Sequence, residues 1–186
     1  MQEFKTFGTY FLIIGSSYLS LSFTEWFLHK FFMHNPNISI GKYHILHHVN
    51  THDNMQLLNK DKTVGILTET QNLCFGTETI LIGSAVICIF VPTLRLFTTQ
   101  IYHTLAAVIS LFFFSIYSVI VWNALHPYIH HENGAEICPL GTTAISYSTM
   151  KYLHRHNPLM RFLYDNHVTH HRIKGEKKGN FNVTHQ

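Results

Sequence analysis

Histidine dominates the polar inventory of this chain, with 16 residues against 13 Lys+Arg and 10 Asp+Glu. Two stretches repeat one pattern: His44-Ile45-Leu46-His47-His48 and His167-Val168-Thr169-His170-His171 are both His-x-x-His-His. At about 100° per residue, the three imidazoles of each copy fall on one helix face. Each copy is therefore a half-site for a metal, and two copies facing each other make a dinuclear centre. Two further pairs sit nearby in pattern: His29 and His34 as His-x4-His, and His126 and His130 as His-x3-His. The latter are separated by about 40° on a helix and so share a face. Ten imidazoles exceed what one ion can use and suit two ions with about five or six positions each. Imidazole serves Zn, Fe, Cu and Ni alike, so ligand type does not choose the metal.

His29 and His34 pose a geometric problem. Five residues apart, they diverge by about 140° on an ideal helix. Either the helix distorts at Phe31–Phe32 or the two histidines serve different ions. Glu25 precedes His29 by one turn on the same face, where it can orient the imidazole by accepting its second ring N–H. The other histidines read as ordinary. His103 lies within an apolar stretch as a satisfied polar residue, and His185 has no partner spacing. His131, His154 and His156 read as surface or supporting positions, and His52 as a neighbour one turn beyond His48.

Other chemistries fit less well. Cys74, Cys88 and Cys138 show no CxxC spacing, so neither a disulfide framework nor a thiolate zinc site is expected, and a reducing compartment fits. There is no His-Glu-x-x-His of a zinc protease, no Gly-rich phosphate loop and no Gly-x-Ser-x-Gly nucleophile turn. The net charge of +3 is scattered without a basic stripe, so no nucleic-acid partner is expected.

The elements that must position the histidines are apolar and long. Charged residues are 12% of the chain, about half the usual share for soluble proteins. Three stretches, about 7–28, 79–96 and 101–122, read as membrane spans. Trp26 and Lys30 close the first as interface anchors. After Pro139, Thr142 to Asn157 reads as a short amphipathic or re-entrant helix ending before Pro158, and Leu159 to His171 as a further helix. Three spans put every histidine cluster on one side. Lys5 and Arg95 fall on the opposite side, and all other Lys and Arg share the histidine side. The positive-inside rule then makes that side cytosolic. The expected fold is a single all-α integral membrane domain, residues 1–186, with a cytosolic histidine-rich helical cap, in the ER or a bacterial inner membrane.

His-x4-His, His-x-x-His-His, His-x3-His and His-x-x-His-His, interleaved with apolar spans, resemble the boxes of the fatty acid hydroxylase superfamily. That superfamily includes sterol desaturases, C4-sterol oxidases, sphingolipid and fatty acid hydroxylases and carotenoid hydroxylases. The resemblance covers roughly Glu25 to Val183. Glu25-Trp26-Phe27-Leu28-His29-Lys30-Phe31-Phe32-Met33-His34 is similar to the family's first box, including the Glu and the Met before the second His. Gly179-Asn180-Phe181-Asn182-Val183-Thr184 resembles the Asn-Phe-Gly-type motif after its last box. The resemblance implies a membrane-bound, non-haem dimetal enzyme that hydroxylates or desaturates a fatty acyl, sterol or isoprenoid chain. It implies His29, His34, His44, His47, His48, His126, His130, His167, His170 and His171 as ligands, with Glu25 supporting them. Two metal ions are implied, iron in the active form with zinc an alternative occupant, together with O2 and a separate electron-transfer protein. Family members usually continue past the last motif with a further short helix and often have four spans. This chain stops at Gln186, so a truncated or inactive member stands as the alternative, beside a membrane metal- or haem-binding protein without oxygen chemistry.

Overall fold

The computed structural model describes residues 2–57, 74, 78–138 and 145–172, and among them the chain is helical, with one isolated bridge between Thr51 and Leu57. The helices are α1 (Gln2–Leu28), α2 (Ser39–Val49), α3 (Glu78–Arg95), α4 (Ile101–Ile129), α5 (Gly134–Ile137), α6 (Tyr147–His156) and α7 (Pro158–Arg172). A π-helical turn, His29–Met33, continues α1 directly.

Long apolar runs without internal charge make α1 and α4 helical, and α1, α3 and α4 pack along one another. Only a narrow stripe of α1 is covered. Ile13, Ser17 and Leu21 recur every fourth residue and are buried, and Ser17 satisfies its hydroxyl on the Ile13 carbonyl at 2.8 Å. The opposite faces are bare: Phe7 is 74% exposed, Phe11 70% and Phe113 64%. Two helices, Phe7–Met33 and Ile101–Ile129, are long and apolar enough to cross a membrane. Of their most apolar stretches, 22% and 17% of residues are buried, whereas the core helix of a soluble protein hides most of its apolar surface.

The third expected span is the 18-residue α3, whose described apolar part, Gly83–Arg95, is shorter than the other two. At ~1.5 Å per residue α3 reaches about 27 Å, slightly under the ~30 Å of a hydrocarbon core. The α3–α4 connection is the short turn expected, with Arg95 Nη1 donating to the Thr99 carbonyl at 3.1 Å. Pro127 neither starts a helix nor ends one; α4 runs through it to Ile129.

Beyond the α1 and α4 ends the histidine-bearing segments gather on one core. Trp122, Leu125 and Ile129 of α4 are buried against Met150 of α6, Leu163 and Val168 of α7, and Met33 and Met55. Local signals set the ends of these short helices. Ser146 caps α6 by accepting from Thr149 N at 3.3 Å, and Asn157 Oδ1 accepts from Leu159 N and Met160 N at 2.9 and 3.2 Å to start α7. The amphipathic reading of Thr142 to Asn157 thus resolves into α6 for its described part.

The cysteines depart from expectation. Cys74 and Cys138 form a disulfide, while Cys88 is free and exposed. The pair is 64 residues apart in sequence and the fold alone brings it together, so spacing carried no sign of it.

Candidate metal centre

The π-turn resolves the His29–His34 conflict. His34 N donates to His29 O at 3.2 Å, an i→i+5 bond that widens the turn and brings residues five apart over one another. The two imidazoles stack with centroids 5.3 Å apart and planes 15° from parallel. The helix does distort, at the Lys30–Phe32 step, and both histidines point to one place.

The turn that follows sets α2. Asn37 N donates to Asn35 Oδ1 at 3.0 Å, and Gly41 packs so closely on this turn that a Cβ there would run into the Asn35 carbonyl oxygen. That contact fixes α2, and with it His44, His47 and His48, against the end of α1.

The ten histidines assemble into two groups of five: His29, His34, His44, His48 and His170 in one, and His47, His126, His130, His167 and His171 in the other. Within each group the nearest ring nitrogens all lie within 4.8 Å of one another. Each His-x-x-His-His is divided between groups. On α2 the i,i+4 pair His44 and His48 enters the first and His47 the second. On α7 the i,i+4 pair His167 and His171 enters the second and His170 the first. Residues four apart lie nearly over one another while i+3 lies to the other side, so one helix face serves two centres. The groups touch, since the His48 and His171 rings stack at 4.0 Å.

The nitrogens converge as ligands do. In the first group His44 Nε2 lies 2.9 Å from His29 Nε2 and 3.1 Å from His48 Nε2, and His170 Nε2 lies 3.2 and 3.1 Å from those of His34 and His48. In the second, the Nε2 atoms of His167 and His171 are 3.0 Å apart. Around an ion with bonds of ~2.1 Å, adjacent donors lie about 3.0 Å apart and opposite ones about 4.2 Å. One Nε2 that faces two others cannot satisfy both by a single proton, so the lone pairs converge on a point that a cation fits. Five donors per group also exceed the closed tetrahedral set of a structural zinc.

Electrostatics favours the metal-binding form. Burial pushes the pKa values of His44, His47, His167 and His171 well below the usual imidazole range, and each is lowered further by neighbouring imidazoles. Burial likewise takes His130 down to about 4, opposed by its bond to a backbone carbonyl. Neutral imidazoles keep the lone pair that a metal takes.

One support was invisible in the sequence. His130 Nδ1 donates to the Met55 carbonyl at 2.9 Å, which fixes the tautomer and leaves Nε2 buried with no hydrogen-bond partner. His47 Nε2 is similarly unpartnered. The next residue, His131, reaches the Asn54 carbonyl at 3.0 Å, so consecutive histidines clamp the 53–55 turn. Both Met55 and His131 adopt positive φ, 70° and 62°; each such non-glycine residue costs about 1–3 kcal/mol, held by the surrounding structure. Trp122 forms one wall, 1% exposed, with its ring 4.6 Å from His126 and 6.3 Å from His29.

Residues set aside in the sequence lie elsewhere. His52 is exposed. His103 bonds Thr98 Oγ1 through Nδ1 at 2.8 Å, at the start of α4. His154 stacks on Tyr164 at 4.1 Å and bonds the Tyr128 hydroxyl at 3.1 Å, and His156 packs on Tyr152. Glu25 is half-buried on the last turn of α1, within electrostatic reach of Tyr117. His185 and the Gly179–Thr184 motif lie outside the described residues. No family model matches the sequence, and no curated protein and no solved structure matches the chain.

Proposed function

We propose that this chain is a membrane-embedded, dimetal, O2-dependent oxidoreductase that hydroxylates or desaturates a lipid chain. The observation that carries the reading is the pair of touching five-histidine groups, placed at the ends of helices whose apolar faces lie bare. All ten histidines would hold the two ions, five each. When bound, two redox-active ions such as iron let O2 be reduced by two electrons from a donor, so that C–H, O2 and two protons yield C–OH and water.

The protein's own contribution is geometric and electrostatic. Burial keeps His44, His47, His130, His167 and His171 neutral, Met55 O orients His130, and Trp122 and the α4–α7 core exclude bulk water from the second group. Glu25, one turn before His29, would orient that imidazole by accepting its second ring N–H. The exposed Phe27, Phe31 and Phe32 beside the first group offer a lipid chain an apolar approach. The bare faces of α1 and α4 match a bilayer, where such surface needs no cover. That α1 runs unbroken into the turn that carries His29 and His34 favours an anchor over a removable leader. The distribution of Lys and Arg supports a cytosolic histidine face, open to an electron-transfer protein, whereas the Cys74–Cys138 disulfide on that same side speaks for an oxidising compartment.

The test is to load the protein with iron, supply a reductase system and offer fatty acyl, sterol and isoprenoid lipids. The reading expects product to gain one oxygen atom or lose two hydrogens, with 18O2 labelling the hydroxylated species. Two bound ions with no turnover on any lipid class would reduce the reading to a membrane metal-binding protein.

A further inference from the structure

α4 serves as a ruler for depth. From Ile101 to Trp122 it rises about 33 Å at ~1.5 Å per residue, the thickness of a hydrocarbon core of ~30 Å. Trp122 therefore marks the boundary on the histidine side. α6 and α7 pack on α4 between Trp122 and Ile129, which is about 10 Å of further rise. Met150 and Leu163 share the core of Trp122, Leu125 and Ile129, Tyr147 lies 5.0 Å from Tyr128, and the His167 ring is 6.5 Å from Trp122. Both helices thus sit at the level of the lipid headgroups.

What they show there is cationic and apolar together. From Tyr147 to Arg172 the chain carries Lys151, Arg155, Arg161 and Arg172, all exposed, against Asp165 as the one acid. Between the cations three large side chains are bare: Tyr152 at 63%, Leu159 at 46% and Phe162 at 49%. Arg161 Nη2 donates to the Arg155 backbone carbonyl at 2.6 Å, which holds the Arg161 guanidinium at the α6–α7 corner. The acids of the neighbouring segment, Glu132 and Glu136, belong to α5 and the turn before it, outside α6 and α7. An amphipathic pair of helices with Arg and Lys beside aromatic and leucine side chains, at headgroup depth, matches an anionic bilayer surface.

We propose that the outer face of the α6–α7 corner binds anionic phospholipid headgroups, with Lys151, Arg155 and Arg161 pairing to phosphate and carboxylate oxygens while Leu159 and Phe162 enter the acyl boundary. The contact holds the helix bearing His167, His170 and His171 down on the membrane from outside. The proposal rests on the membrane reading above but not on the oxygen chemistry. Each cation near an anionic surface strengthens such binding by about fivefold.

The experiment places p-trifluoromethylphenylalanine at position 162 of the full chain and reads its 19F signal in nanodiscs. One set of discs is phosphatidylcholine, and the other contains phosphatidylserine or phosphatidylglycerol. The expected result is strong broadening by doxyl-labelled lipid and shielding from an aqueous gadolinium chelate, both greater in the anionic discs. Arg155→Glu/Arg161→Glu should reduce the lipid broadening several-fold in anionic discs and little in phosphatidylcholine, while circular dichroism and bound metal stay as in the parent. Equal access of the aqueous chelate in both disc types would overturn the proposal. So would shielding that appears only when a soluble acidic cytochrome is added, since the face would then be a protein dock. Neither readout depends on turnover, so this contact and the enzymatic reading can fail separately.

Discussion

The two histidine groups share α2 and α7 and yet differ in enclosure. The second, His47, His126, His130, His167 and His171, is buried at every member but His171. It has Trp122 as a wall and the Met55 carbonyl as a brace. The first, His29, His34, His44, His48 and His170, has half-buried members at His34 and His48. It is assembled on a π-turn at the end of the first helix, beside exposed phenylalanines. The second group takes His126 from the last turn of α4 and His130 from the residue that ends it, inside the main core. The first takes two from the chain's entry to the cap. The contrast separates a braced centre from an open one, and under the proposed function a lipid chain would approach from the side of the first.

The strongest way to break the contrast is at an element that both groups share. α2 supplies His44 and His48 to one and His47 to the other, and it is seated by Gly41 on the Asn35 carbonyl. Gly41→Ala cannot be absorbed by a flexible side chain, because the obstacle is backbone. We expect about 2–4 kcal/mol of lost stability and loss of metal from both groups alike, read by elemental analysis and thermal unfolding. Retention of both metals would show that α2 is not held by this contact.

The next largest effect separates the groups. His44→Ala should lower bound metal by one equivalent at the first group, and His167→Ala by one at the second, each with the other group still loaded. The adjacent pair His47 and His48 makes the sharper version, since neighbouring substitutions should empty opposite groups. A fall of both equivalents together in every variant would mean that the two ions bind as one cooperative unit. Unchanged metal in His47→Ala and His170→Ala would rule out the dinuclear arrangement.

This partition marks how far the sequence could be read. The histidines of the two groups were legible because His-x-x-His-His and His-x3-His have a helical period that chance spacing lacks. The assignment of each to a group was not, because it depends on how α2 and α7 face each other. His29 and His34 posed an ambiguity that only a change of helix type could resolve, and the i→i+5 bond supplies it. The Met55 carbonyl could not be seen, since a backbone acceptor has no sequence signature, and the Cys74–Cys138 disulfide has no local spacing. The long helices were legible as apolar stretches. The 18-residue α3 read as a span like the others, because apolar character does not distinguish a full crossing from a slightly short one.

Acid should release the ions in order of enclosure. Burial lowers the His130 pKa from 6.5 to about 4. Between those values the unfolded chain takes up a proton that the folded one refuses, so the metal-free fold loses stability as pH falls through this window. For His130 alone that is about 3 kcal/mol, lost progressively from 6.5 downward. The same refusal keeps the lone pair on the metal, so the more buried group should hold its ion to lower pH. With only the second group loaded, as in His44→Ala, release should come at lower pH than with only the first loaded, as in His167→Ala. Coincident release curves would erase the distinction between a braced and an open centre.

The smallest expected effect tests where the open centre ends. His52 follows His48 by one turn and by spacing alone belongs with it, which would give the first group a sixth imidazole. In the fold α2 ends at Val49, Thr51 bonds back to the His47 carbonyl at 2.7 Å, and the chain turns through His52 N to Gln56 O at 2.9 Å. That turn leaves the His52 side chain exposed and brings Met55 under His130. His52→Ala should therefore leave bound metal at the parent value and change stability by no more than about 0.5 kcal/mol. A measurable loss of metal from the first group would mean that α2 continues one turn further in the loaded protein. It would also mean that the turn bracing His130 opens when the first group closes, and the two centres would then exchange their supports.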